Sequence, residues 1–250
     1  MKPMFIRPKG LTSVNQRYCP GCGHGIVHRL IGELLVEMDV REKTVGIAPV
    51  GCSVFADEYF NCDMIQVPHG RACAVATGIK RARPECFVFS YQGDGDLAAI
   101  GTAETIHAAA RNENISVIFI NNAIYGMTGG QLAPTTLPGM KSTTSVKGRD
   151  IAKQGYPIKV VELINALDGP IYLERTTVHT PKDIIKTKKA LKTAFNYQLQ
   201  NKGFSLIEVL SMCPTGWGVT PVQAKKWIND VMMKYYPVGE VRNRGKEEKK

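Results

Sequence analysis

Apolar residues follow two alternating rhythms along the chain. Short runs rich in Val and Ile, bounded by Gly, Pro or Asn, predict strands at Thr44–Ala48, Met64–Val67, Phe87–Tyr91, Ile115–Ile120, Ile158–Val161, Ile171–Glu174 and Ser205–Val209. Longer stretches between them predict helices over Gly25–Met38, Arg71–Ala82, Leu97–Arg111, Ile151–Gln154, Val161–Leu167, Pro181–Asn201 and Pro221–Tyr235. Pro181 and Pro221 follow Thr180 and Thr220, the order of an N-cap and a proline at the first helical position. Runs apolar throughout, such as Ile115–Ile120, fit strands covered on both faces. The alternation predicts an α/β fold, a mostly parallel sheet flanked by helices. It is read as one domain over residues 1–250, with a charged tail from about residue 237 whose end, Arg242–Lys250, reads as frayed and solvated. The segment Gly126–Arg149 breaks the rhythm. It is rich in Gly, Pro, Thr and Ser, and loops of that length in compact domains are usually functional or mobile.

Composition narrows the class. With 44% hydrophobic and 22% charged residues in 250, the chain is globular rather than disordered, collagen-like or coiled-coil. No apolar run approaches the roughly 20 residues that span a bilayer. The start, MKPMFIRPKG, lacks an apolar signal core, so a cytoplasmic protein is expected. The net charge of +10 is uneven: residues 1–140 hold 12 basic and 12 acidic residues, and residues 141–250 hold 20 and 10. Charge alone does not choose among nucleic acid, membrane and acidic protein partners. Seven cysteines without an export signal point to metal or redox chemistry rather than disulfides.

Three motifs carry candidate chemistry. The first is Gly93-Asp94-Gly95-Asp96, between a strand and a helix. Glycines let backbone approach a phosphate, and a helix start offers free N–H groups. Asp94 beside a phosphate calls for a bridging divalent cation; a tight turn with an N-capping Asp carries the same letters. Asn121-Asn122 ends the next strand, and in a parallel sheet such ends share one edge, where ligands bind. Asp94 and Asn122 can therefore offer oxygens to one Mg²⁺, with a backbone carbonyl from the following turn. The second motif, Tyr18-Cys-Pro-Gly-Cys-Gly-His24, sets Cys19 and Cys22 at C-x-x-C spacing. A zinc site would usually show a second such pair or paired His. Cys52, in Pro49-Val-Gly-Cys-Ser53, and Cys213, in Ser211-Met-Cys-Pro-Thr215, are separate candidates. Cys62, Cys73 and Cys86 read as small buried apolar residues. The third motif is Pro68-His69-Gly70-Arg71 before a helix rich in small residues; His69 and Arg71 can meet phosphate oxygens, and for Arg71 a surface ion pair is an equal reading. His24, His28, His107 and His179 show no mutual metal spacing and read as structural or surface residues.

The combination of GDG, helix, strand and NN resembles the thiamine diphosphate signature. Its extension, Tyr125-Gly-Met-Thr-Gly-Gly-Gln131, is similar to the β subunit of 2-oxoacid:ferredoxin oxidoreductases, and the resemblance runs from about Tyr18 to Tyr236. It implies a thiamine-diphosphate-binding fold in which Asp94, Asn122 and the Ile124 carbonyl hold Mg²⁺. It implies cofactor contacts from Gly51, Ser53, His69, Gly70, Arg71, Gly93, Asp94, Gly95 and Asp96, and from Asn122, Tyr125, Gly126, Met127 and Thr128. It assigns all four of Cys19, Cys22, Cys52 and Cys213 to a 4Fe–4S cluster, a set that suits four thiolates.

The resemblance further implies the CoA-dependent oxidative decarboxylation of a 2-oxoacid to acyl-CoA and CO₂, with electrons passed through the cluster to ferredoxin. It implies an α subunit completing the thiamine site, with γ and ferredoxin-like δ partners. Some members carry a basic residue where Gly129 stands, so the glycine leans toward 2-oxoisovalerate over 2-oxoglutarate. Two other classes share part of the pattern. A non-redox thiamine decarboxylase or synthase needs no cysteine set. A basic zinc-knuckle nucleic-acid binder predicts aromatics interleaved with basic residues, and Lys182–Lys192 has none; neither nucleic acid nor membrane is expected as a partner.

Overall fold

The computed structural model describes residues 6–249. Its strands are β1 (Thr44–Ala48), β2 (Asp63–Gln66), β3 (Phe87–Gly93), β4 (Ser116–Asn121), β5 (Tyr172–Thr177), β6 (Ser205–Leu210) and β7 (Gly239–Asn243). They form one seven-stranded sheet in the order β2-β1-β3-β4-β6-β5-β7. All neighbours pair in parallel except β7, which runs antiparallel to β5. The helices that matter to the site are α1 (His24–Glu37), α2 (Ala56–Tyr59), α3 (Ala72–Ala82), α4 (Thr102–Ala110), α5 (Ile151–Gln154), α6 (Val160–Asn165), α7 (Pro181–Leu199), α8 (Pro214–Trp217) and α9 (Pro221–Trp227).

Side chains of the central strands alternate between two cores, as the period of two requires. Phe87, Phe89 and Tyr91 of β3 join Ile118, Ile120, Ile207 and Val209 in a core covered by α1 and α7. Val88, Val117, Phe119 and Leu206 point the other way, into a core covered by α3, α4 and α6. Every residue of β4 and β6 is buried, which is why those runs carry no polar alternation. Thr180 accepts a hydrogen bond from Asp183 N at the start of α7, and Thr220 forms a capping box with Gln223 at the start of α9, so both Thr-Pro signals mark helix starts.

Three expectations change. Ile158–Val161 is not a strand. Val160, Val161 and Ile164 are buried at helical spacing in α6, so the apolar run is one face of a helix. Residues 239–243 of the expected tail form β7; Arg242 donates to the carbonyls of Asn165, Leu167 and Pro170, which anchors a strand whose charged letters read as solvent-facing. The helix after the GDG motif begins as a π-helical turn over Gly95–Ile100 before α4, a distortion common at functional sites.

After β1 the chain adds β2 on one side of it and β3 on the other. Ligands bind beyond the strand ends where order reverses in this way, and the two loops flanking that crevice are 49–53 and 93–96.

Candidate functional site

A cavity of about 640 Å³, its open mouth included, sits in this crevice, within the range of small-molecule sites. Gly51 and Ser53 line it from the β1 end, and Gly93, Asp94, Gly95 and Asp96 from the β3 end. Asn122, Ile124, Tyr125, Gly126, Met127 and Thr128 close it from β4. His69 reaches it from the segment after β2.

Asp94 is buried. Its Oδ1 accepts from Gly95 N at 2.8 Å, and its Oδ2 accepts from Ile124 N and from Thr135 Oγ1, each at 3.0 Å. Burial nevertheless pushes its carboxyl from 3.8 up to about 7, because no cationic side chain compensates the charge. The turn after β4 is wound tightly: Ala123 has φ +59°, a left-handed conformation that costs a non-glycine residue of order 1–3 kcal/mol. Asn121 Oδ1 accepts from Ala123 N, Asn122 Oδ1 from Ile124 N, and the Asn122 carbonyl from Trp217 Nε1. Tyr125 lies against Gly95, where a Cβ would come within 2.9 Å of its ring.

Two observations fit thiamine diphosphate and its metal. Ser53 Oγ is buried against the cavity without a hydrogen-bond partner, a hydroxyl ready for an anionic oxygen. Gly51 has φ +98° with open space where a Cβ would stand, so the backbone is bare toward the ligand. A hard divalent cation also matches the oxygen donors of Asp94 and Asn122 and the missing positive charge.

Asp96 lines the cavity, and both its carboxylate oxygens are engaged by protein donors. Its Oδ1 accepts from His69 Nδ1 and Gly70 N, both at 2.6 Å, and its Oδ2 from Gln92 Nε2 at 2.7 Å. It anchors the His-Gly segment from beneath, which leaves Nε2 as the other ring nitrogen His69 can offer. Gly70 serves the same junction: its φ is +79° and a Cβ would meet Ile100 at 2.5 Å; it does not line the cavity. Arg71 is not brought to the cavity either. Its guanidinium pairs with Glu104 of α4 at the surface, so the ion-pair reading is the one the structure favours. The Thr128 hydroxyl donates to Gln131 Oε1, so the two polar side chains of that loop bond to each other.

A second cavity adjoins the first and is ringed by Cys19, Cys22, Cys52 and Cys213. Two are brought by the loop before α1, one by the loop after β1 and one by the segment between β6 and α8, so only the fold reveals their convergence. Burial pushes the thiols of Cys22 and Cys213 up to about 12 and that of Cys52 to about 11, so with no cation beside them these thiols keep their protons. Glycine makes room for the ring: a Cβ at Gly216 would stand 2.8 Å from Cys213 Sγ, and one at Gly126 3.1 Å. Among the described residues no three His, Cys, Asp or Glu side chains form a group that could hold a single metal ion. Cys73 is buried, and Cys62 and Cys86 pack partly buried against the two cores.

His24 is a site residue that spacing did not reveal. It lines both cavities, is buried, and its Nδ1 bonds Tyr91 OH at 2.7 Å. Tyr18 stacks on its ring, and burial lowers its pKa to about 4, so it is neutral. Its position directly after the C-x-x-C turn was the available signal. Thr135, which bonds Asp94 from 41 residues away, had none.

Residues 49–209 match the family described as thiamine pyrophosphate enzyme, C-terminal TPP binding domain. Ketoisovalerate oxidoreductase subunit VorA of Methanothermobacter thermautotrophicus is 47% identical over 244 residues, covering 98% of this chain and 51% of that protein. The chain thus spans about half the length of that relative. The 2-oxoglutarate synthase subunit KorB of Methanocaldococcus jannaschii is 40% identical over 207 residues, covering 80% of this chain and 70% of that protein. A solved 2-oxoglutarate:ferredoxin oxidoreductase from Magnetococcus marinus, with 2-oxoglutarate, coenzyme A and succinyl-CoA bound, superposes with a TM-score of 0.74 at 31% identity, over 86% of this chain and 70% of that one. With the GDG and NN loops meeting at the strand ends inside the matched segment, the chain belongs to the thiamine pyrophosphate enzymes and, among them, to the 2-oxoacid oxidoreductase subunits.

Proposed function

We propose that this chain is the thiamine-diphosphate-binding β subunit of a cytoplasmic 2-oxoacid:ferredoxin oxidoreductase. The assembly converts a 2-oxoacid and coenzyme A to acyl-CoA and CO₂, and two electrons leave one at a time for ferredoxin. The observation that carries this reading is the shared wall: Cys52, Asn122, Gly126, Met127 and His24 border both the glycine-lined cavity and the thiol ring. A decarboxylase without redox chemistry has no use for the second cavity.

In this reading Asp94, Asn122 and the Ile124 carbonyl hold Mg²⁺. Gly51, Ser53, Gly93, Gly95 and His69 meet the cofactor, and Cys19, Cys22, Cys52 and Cys213 hold a 4Fe–4S cluster. Bound thiamine diphosphate supplies the nucleophilic carbon and electron sink for decarboxylation, and the cluster supplies one-electron acceptance. The chain supplies placement: the Asp94–Thr135 and Asn122 contacts fix the metal donors, Asp96 fixes His69, and Tyr125 packs over Gly95. An α subunit completes the site, with γ and ferredoxin-like δ subunits beside it; the relatives' designation as subunits supports an assembly. 2-Oxoisovalerate is favoured as substrate, since relatives named for ketoisovalerate are 47–48% identical and those named for 2-oxoglutarate synthase 38–40%.

The test is viologen reduction by the anaerobically purified complex with pyruvate, 2-oxoglutarate or 2-oxoisovalerate. The highest kcat/KM is expected for 2-oxoisovalerate, dependent on both coenzyme A and thiamine diphosphate. Aldehyde release without dye reduction would refute the redox reading.

A further inference from the structure

Behind the turn after β4 lies a buried polar network whose side chains line neither cavity. Arg175 of β5 is 1% exposed, and its Nε donates to Glu208 Oε2 of β6 at 2.9 Å. Its two terminal nitrogens donate to Glu162 of α6 at 2.8 and 2.6 Å. Replacing such a buried ion pair by apolar residues is often neutral or stabilising, so sheet stability alone does not explain a charged pair here.

Two arms lead from Arg175 to the site. In the first, Glu208 Oε1 accepts from Asn121 Nδ2 at 2.7 Å. That orients the amide so that Asn121 Oδ1 accepts from Ala123 N, the left-handed residue of the turn carrying Asn122 and Ile124. In the second, the Arg175 guanidinium lies 5.2 Å from the Tyr236 ring centroid. Tyr236 OH donates to the Thr135 carbonyl at 2.8 Å, and Thr135 Oγ1 donates to Asp94 Oδ2. The arms therefore end on the two side chains, Asn122 through its turn and Asp94 directly, that the proposed metal site uses.

We propose that Arg175, Glu208, Asn121, Tyr236 and Thr135 are positioning residues that set the affinity of the divalent-metal site. The inference rests on the reading of Asp94 and Asn122 as metal ligands. An apolar pair at 175 and 208 holds the strands together; it does not present an anion to the Asn121 amide, and the strained turn then loses the bond that selects its conformation. Partners one step behind metal ligands typically govern affinity by about 10–100-fold.

The experiment is Mn²⁺ titration of the anaerobically purified complex with saturating thiamine diphosphate, read by electron paramagnetic resonance, beside a thermal melt. The paired variant Arg175→Met, Glu208→Leu and the single variant Thr135→Val should each weaken Mn²⁺ binding about tenfold. A remote core variant, Phe195→Leu, controls for general destabilisation and should leave the affinity unchanged. A folded paired variant with wild-type affinity overturns the proposal; should the pair not fold, wild-type affinity in Thr135→Val overturns it. Wild-type protein that binds no Mn²⁺ with thiamine diphosphate sinks the metal-site reading itself, and this inference with it.

Discussion

Asp94→Asn should become steadily more favourable to stability, relative to wild type, as pH rises from about 5 to about 8. The Asp94 carboxyl moves from 3.8 to about 7 on folding, chiefly through burial. Between those values the folded chain keeps a proton that the unfolded chain has released. Stability therefore falls as pH rises through this window and has nothing further to lose from this group above about pH 7. At 1.36 kcal/mol per tenfold change the loss amounts to roughly 4 kcal/mol.

Asparagine removes that loss but gives up an acceptor. Its oxygen can keep Ile124 N and Thr135 Oγ1, and its amide then faces Gly95 N, at a cost of about 1–3 kcal/mol for the bond lost there. Without metal the variant should be the more stable protein at pH 8, by about 1–3 kcal/mol, and within about 1.5 kcal/mol of wild type near pH 5. That corresponds to about 2–4 °C of melting temperature per kcal/mol in a chain of this length. Other buried acids, Glu208 and Glu174, are also pushed up, so the quantity to plot is the difference between the two proteins' melts from pH 5 to pH 8. Mg²⁺ with thiamine diphosphate should reverse the order at pH 8, stabilising wild type by about 2.7 kcal/mol at a hundred times Kd and the variant hardly at all. A difference that stays flat with pH, or equal stabilisation of both proteins by the ligands, would refute this account of Asp94.

Gly216→Ala places a methyl 2.8 Å from Cys213 Sγ and should abolish the visible absorption of the iron–sulfur centre in anaerobically prepared protein; an unchanged spectrum counts against the thiol ring as its seat. Gly70→Ala meets both a positive φ and the Ile100–Gly101 backbone at under 3 Å, so denaturant unfolding should show a loss of about 2 kcal/mol or more. Arg71→Ala removes only a surface ion pair, so thiamine diphosphate affinity measured by calorimetry should stay within about twofold of wild type, with stability changed by less than about 1 kcal/mol. A large loss of affinity there would return Arg71 to the binding site.

The parts of the fold legible in the sequence are those whose contacts are local. Thr180-Pro181 and Thr220-Pro221 act within one turn, so the helix starts were legible. GDG and NN were legible because each sits at the end of its own strand and parallel topology aligns those ends. Ile158–Val161 misled because four apolar residues fit a buried strand and a helix face equally, and only packing against α3, α4 and the sheet decides between them. Arg71 stayed open between phosphate contact and ion pair because its partner Glu104 lies 33 residues away on α4. Cys52 and Cys213 lack any local partner at ligand spacing; family resemblance placed them where chain geometry later gathered them.

The charge asymmetry also takes a different meaning once residues have places. The basic excess after residue 140 does not by itself say which of its charges face outward. Yet Arg149 and Arg175 are buried, and Arg242 is turned onto carbonyls. Arg149 ties together the carbonyls of Ala133, Pro134, Thr136, Gln154, Gly155 and Tyr156. That holds in place the loop from which Thr135 reaches Asp94. Part of the formal excess is therefore internal scaffolding, applied where a long Gly- and Pro-rich loop leaves carbonyls without helix or sheet partners. The excess that remains outward is carried by lysines, including Lys182, Lys186, Lys189 and Lys192 along the exposed side of α7. Arginine, with a planar fork of five donors, suits the first task, while a flexible, strongly hydrated ammonium suits a solvated helix face. The same +10 thus divides by chemistry: guanidinium groups organise the loop and strands behind the turn after β4, and ammonium groups charge a surface that any electrostatically steered partner meets first.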